Sequence, residues 1–70
     1  MNAIKLLDVV ALTEDIPKRK LYRGQVGTVV EILDEDMYEV EFSDASGRTY
    51  AMLALHTRQL MILHYTPLSA

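Results

Sequence analysis

The sequence predicts an all-β domain: a small antiparallel barrel of five short strands. Three observations carry that prediction. Apolar, β-branched and aromatic residues fall in short runs, each bounded by clusters of Asp, Gly, Pro or Ser. One run, "MYEVEFS", alternates with a period of two, the pattern of a half-buried antiparallel strand. Five such runs crowd into 70 residues with tight turns between them. A flat five-stranded sheet would leave one apolar face and two edges open, and closing the sheet on itself removes both liabilities.

The first strand is expected in "DVVALTE" (Asp8 to Glu14), an apolar run with polar ends. The preceding "NAIKLL" extends it or forms a short helical turn; the periodicity does not choose. In "DIPKRKLY", Pro17 lacks a donor and pushes Ile16 toward extended backbone, which runs against a continuous central strand. A loop of about eight to ten residues takes its place, longer than a typical hairpin connection. Leu21 and Tyr22 inside it are expected to fold back over the core edge.

The second strand is "VGTVVEIL" (Val26 to Leu33), whose Val and Thr suit a pleated surface. "DED" then makes a tight acidic turn. In the third strand (Met37 to Ser43), Tyr38, Val40 and Phe42 face one side and Glu39 and Glu41 the other. "DASGR" turns the chain again, and "TYAMLAL" (Thr49 to Leu55) is the fourth strand. "HTRQ" (His56 to Gln59) fits one 3₁₀ turn, and "LMIL" (Leu60 to Leu63) is the last strand. A long first loop, three hairpin-linked strands, one 3₁₀ turn and a final strand is the order of an SH3-like barrel. The barrel domain is expected over residues 1–63, with "HYTPLSA" at 64–70 as a C-terminal tail. The expected core is Val9, Ala11, Val26, Val29, Ile32, Tyr38, Val40, Phe42, Tyr50, Leu53, Leu60 and Ile62.

Composition narrows the classes. Half of the residues are hydrophobic and 24% are charged, which fits a folded globule. There is no cysteine, so thiolate zinc sites are excluded. Small secreted domains lean on disulfides, so a reducing cytoplasm is the expected compartment. No apolar run approaches a membrane span, and "MNAIKLLDVV" makes a poor signal peptide. No membrane association is expected.

Net charge is -3. Lys18, Arg19, Lys20 and Arg23 supply four of the seven basic residues, and the stretch from Glu31 to Asp44 supplies seven of the ten acids. A basic segment thus precedes an acidic one. In "RGQVGTVVEI", Gly24 and Gly27 invite a phosphate-cradle reading, but such loops need a helix after the glycines, and a strand follows here. Gly24 is expected to allow a turn, and Gly27 a close backbone approach or a bulge.

"KRKLYR" is the strongest functional candidate. A basic loop with an aromatic in it can track phosphates while Tyr22 stacks on a base. The bland alternative is a solvated loop that guards a sheet edge. The overall pI near 5.1 runs against a nucleic-acid domain. The same loop could instead meet an acidic patch on a partner, or the acidic hairpin of a second copy. Asp34, Glu35 and Asp36 lack the spacing of a calcium loop. Glu39 and Glu41 share a strand face that suits a basic partner surface. His56 and His64 are the only imidazoles, and no metal set or nucleophile–base pair can be drawn around them. Met52, Leu53 and Leu55 put apolar residues on both faces of one strand. If one face is bare in the fold, an interface is expected there.

The pieces "LLDVVAL.ED.P", "RGQVGTVVE", "YEVEF", "G.TYA.L.L" and "QL" resemble an uncharacterised bacterial family of short SH3-like barrel proteins, well represented in cyanobacteria and classed as domain of unknown function 4926. The resemblance spans about Lys5 to Leu63. It implies an SH3-like fold, no established activity, and an antitoxin- or immunity-like role toward the product of a neighbouring gene. "GQVGTVVEI" is also similar to the glycine-containing strand of the KOW group of ribosomal and transcription-elongation proteins, which implies RNA phosphates for "KRK"; the acidic strands that follow depart from that pattern. Domains that bind proline-rich peptides carry an aromatic groove, and the tryptophan-free "VVALTED" offers none.

The expectation is therefore a non-catalytic cytoplasmic protein-interaction module with no cofactor and no metal. Its partner-binding residues are expected to be Lys18, Arg19, Lys20, Tyr22 and Arg23 on the basic loop and Glu39 and Glu41 on the acidic hairpin. A protein partner is expected, with single-stranded RNA binding through the same loop as the alternative, and a homo-oligomer is left open.

Overall fold

The computed structural model describes residues 3–64. They build one antiparallel sheet from β1 (Val9–Leu12), β2 (Val26–Asp34), β3 (Met37–Ser43), β4 (Thr49–His56) and β5 (Leu60–Ile62). The strand order is β4-β3-β2-β1-β5. Strands β1 to β4 follow one another as neighbours, and the chain then returns to lay β5 against β1. This is the predicted all-β architecture with SH3-like connectivity, and its ladder remains open between β4 and β5. A 3₁₀ turn at Thr57–Gln59 precedes β5 as expected, and a second one lies in the first loop at Pro17–Arg19. The tail expected at 64–70 lies outside the described residues beyond His64.

β3 behaves as its alternation dictates. Tyr38, Val40 and Phe42 are buried, while Glu39 and Glu41 stay half-exposed on the outer face. The Tyr38 hydroxyl donates to the Glu35 carbonyl at 3.1 Å, which satisfies the one polar atom this inner row takes into the core. β2 is longer and bent. Its pairing with β3 slips between Val29 and Glu31 and again between Ile32 and Asp34. Each slip breaks the two-residue alternation and turns the strand.

Part of the expected core is corrected. Ile32 is 52% exposed, although it pairs with buried Tyr38. Val26 lies on the outer face, opposite in parity to Gly27 and Val29, and is exposed. In β1 the inward row is Val10 and Leu12 rather than Val9 and Ala11; Ala11 is buried all the same, and Val9 is half-buried. In β4 the inward row is Ala51, Leu53 and Leu55, and Tyr50 is half-exposed at a bulge between Phe42 and Ser43. Val29, Tyr38, Val40, Phe42 and Leu60 are core as expected, with Leu53 and Ile62 packed at its margin. Ile4 and Leu21 complete the cluster from outside the sheet. Leu21 folds back and is fully buried; Tyr22, expected to follow it, points outward instead.

Gly24 and Gly27 do what was expected of them. Gly24 has a φ of +92° at the turn into β2. Gly27 is buried against β3, where an added Cβ would sit 2.9 Å from the Glu41 carbonyl oxygen. Neither cradles an anion loop, since both lead into a strand.

Candidate functional site

The basic loop is a small hairpin. Ile16 and Leu21 bridge in antiparallel fashion: the Ile16 N–H donates to the Leu21 carbonyl at 2.8 Å and the Leu21 N–H returns a 3.2 Å bond. Pro17 opens the 3₁₀ turn at its tip, where its fixed φ suits a first helical position. Lys20 ends that turn in left-handed backbone, φ +56°, and donates its N–H to the Pro17 carbonyl at 3.0 Å. Buried Leu21 anchors the tip, so Lys18, Arg19 and Lys20 stand exposed on preformed backbone.

The base of the hairpin is tied down as well. The Arg23 N–H donates to Asp15 Oδ1 at 2.8 Å, and the Tyr22 N–H donates to Gln25 Oε1. Gln25 Nε2 then reaches the Tyr50 hydroxyl at 3.2 Å, and the Tyr50 ring lies 6.3 Å from that of buried Phe42. Gln25 thus links the loop to β4. Tyr22 and Tyr50 are each about half-exposed. Arg19 makes a second link, its Nη2 lying 3.4 Å from the Met52 carbonyl oxygen on β4. Gln25, Tyr50 and Met52 are missing from the sequence-based site, because only the fold brings the loop to the start of β4.

The acidic residues occupy a different surface. Glu41 is in register with Thr28 and Met52, and its Oε2 accepts from the Thr49 hydroxyl at 2.7 Å. Glu39 is in register with Ala54 on one side and with Glu31 on the other. Two carboxylates directly opposite on one sheet face repel. The acidic turn Asp34–Asp36 lies at the far end of β4: the Asp36 carbonyl accepts from the Thr57 N–H at 2.9 Å. The acidic turn therefore lies at the C-terminal end of β4, while Arg19 of the basic tip meets the same strand at Met52. Of the seven predicted site residues, Arg19 and Glu41 both meet Met52, Arg19 at its carbonyl oxygen and Glu41 in strand register; Lys18 and Lys20 stay with the tip, and Tyr22 and Arg23 with the hairpin base.

The Asp44 carboxylate in the β3–β4 turn is held below its ordinary pKa. The Ser46 hydroxyl bond is the largest cause and the Arg48 N–H follows, with a small opposing desolvation and a further bond from the Ser46 N–H. Its bonds are all internal to the turn, so it is a structural group. His56 caps the second 3₁₀ turn: its Nδ1 accepts from the Arg58 N–H at 3.1 Å, and Gln59 Oε1 accepts from its own N–H at 2.9 Å. Among the described residues no group of three His, Asp or Glu side chains is placed to hold a metal ion. Nor does any helix among them have the length and apolarity to cross a membrane.

No curated protein and no solved structure matches this chain. The pattern of the domain of unknown function DUF4926 does match, over residues 6–62. That stretch takes in all five strands and the basic hairpin, and the protein belongs to this family.

Proposed function

We propose that the protein is a non-catalytic, cytoplasmic protein-interaction module that docks its partner on the basic hairpin tip. The partner fits the product of a neighbouring gene, in an antitoxin- or immunity-like pairing. One observation carries the reading: Lys18, Arg19 and Lys20 are displayed on backbone already fixed by the Ile16–Leu21 bridge and the buried Leu21 anchor. Preformed backbone lowers the ordering cost of binding. Tyr22 and Arg23 extend that surface with an exposed ring and a further cation. Glu39 and Glu41 form a second contact surface, and the Glu31–Glu39 repulsion is relieved by a basic partner group placed between them.

Single-stranded RNA is the second reading, favoured by the exposed Tyr22 ring beside the cations. The test pairs co-purification from the native host with a titration of labelled oligonucleotide at low and moderate salt. One protein partner retained by the wild type and lost by Lys18→Ala, Arg19→Ala, Lys20→Ala is the expected result, with no oligonucleotide bound. Oligonucleotide binding lost in the same variant, with a log–log salt slope of about −2 from roughly three phosphate contacts, overturns the protein-partner reading and installs the second.

A further inference from the structure

Among the described residues the outer edge of β4 pairs with no strand, and it points to self-association. The Val29 N–H donates to the Asp8 carbonyl at 2.9 Å, and the Val29 carbonyl accepts from Leu7 at 2.8 Å, so Val29 turns its peptide groups away from β3. Val40, opposite Val29, therefore turns its own toward β4 and bonds with Leu53. Alternation along β4 then sends the peptide groups of Met52, Ala54 and His56 outward. Two of these are capped by side chains: the His56 N–H by Gln59 Oε1, and the Met52 carbonyl by Arg19 at a long 3.4 Å. Ala54 directs both its N–H and its C=O to solvent.

Exposed edges are normally blunted by Lys, Glu, Pro or shortness. β4 has eight residues, "TYAMLALH", with no Lys, Arg, Asp, Glu or Pro. Its outer face is bare: Met52 is 46% exposed and Ala54 is exposed too. The flanks carry opposite charge, with the basic tip at Met52 and the acidic turn Asp34–Asp36 beyond His56.

We infer that two copies of this chain pair antiparallel through their β4 edges, about a two-fold axis at Leu53. That register sets Met52 of each copy against Ala54 of the other and forms four peptide hydrogen bonds from the groups left outward. It also places the basic tip of each copy toward the acidic turn of the other, so the charges that flank the strand become self-complementary. Arg19 leaves the Met52 carbonyl, which then accepts from Ala54 of the second copy, and its guanidinium turns to the opposing acidic turn. The pairing shares Arg19 with the proposed docking surface, whereas Ala54, at the centre of the new ladder, lies outside the basic tip and tests the pairing alone.

Sedimentation velocity over a range of concentrations, with hydrogen exchange of the Met52 and Ala54 amides, tests the inference. The wild type should sediment at twice the monomer mass, with both amides slowing as concentration rises. Ala54→Pro should be a folded monomer, since an outward N–H is dispensable to the fold, and should still bind a foreign partner through its intact tip. A wild type that stays monomeric with freely exchanging Met52 and Ala54 amides overturns the inference, as does a folded Ala54→Pro dimer. Should Ala54→Pro fail to fold, the wild-type exchange measurement decides alone.

Discussion

Gly27→Ala should cost the fold about 1–3 kcal/mol through overpacking. The new Cβ would lie 2.7 Å from Val40 Cγ1, 2.9 Å from the Glu41 carbonyl oxygen and 3.0 Å from Phe42 Cδ2. Val40 and Phe42 are fully buried, so neither side chain has room to swing aside. The Glu41 carbonyl is backbone of β3, and moving it parts the ladder at Thr28–Glu41. The lower backbone entropy of alanine returns roughly 0.5–1 kcal/mol, leaving a net loss of about 1–2 kcal/mol. A chain of this length is stable by only about 3.5–10 kcal/mol, and each kcal/mol shifts the midpoint by roughly 4–8 °C. Thermal unfolding should therefore fall by about 5–15 °C, with chemical-shift changes at Val40 and Phe42. Gly24→Ala is the comparison: it meets nothing within 4 Å, but its φ of +92° strains any side chain. It should lose stability without disturbing Val40 or Phe42. A Gly27→Ala variant as stable as the wild type refutes the close approach of β2 and β3 at this position.

Three further outcomes follow from named contacts. Because the folded Asp44 pKa lies below its unfolded value, its contribution is present above about pH 3.9 and is lost as pH falls through the lower folded value; acid titration of stability in Asp44→Ala should show a correspondingly smaller loss in that window. Glu31→Lys turns a repelling cross-strand pair into an attracting one and should stabilise by about 0.2–1 kcal/mol in urea unfolding, less in high salt. Lys20→Gly relieves left-handed backbone at the tip and should raise stability by roughly 0.5–1 kcal/mol once glycine's entropy is subtracted; a loss of stability would show that the Lys20 side chain packs.

The strands were legible because their signals are local. Met37–Ser43 could be read to its end residues from alternation alone, and Pro17 marked where the first strand could not continue. Facing was less legible. The expected core joined Val29 with Ile32 and Tyr50 with Leu53, each three residues apart and so on opposite faces of a regular strand; Ile32 and Tyr50 are the members that lie outward. In β1 the residues on both faces are apolar, and only pairing with β2 and β5 decides that Val10 and Leu12 lead inward. The charge of "KRKLYR" was visible, but its rigidity was not. That depends on Leu21 being anchored in the core and on Gln25 reaching Tyr50, contacts between residues far apart in the chain.

The β1–β5 ladder has a consequence for how the chain reaches this state. β2, β3 and β4 are joined by short turns and can zip from one end, whereas Val10 meets Ile62 only after about fifty residues have been looped back. Closing a loop of that length directly costs about 3.5 kcal/mol beyond a constant term, whereas β1 can first add to β2 through the shorter first loop. Folding should therefore begin in β2 to β4, with β1 adding to β2 and β5 closing on β1 last. A permuted chain that splices β5 to β1 and opens the acidic turn would make that step local, and should fold faster at similar stability.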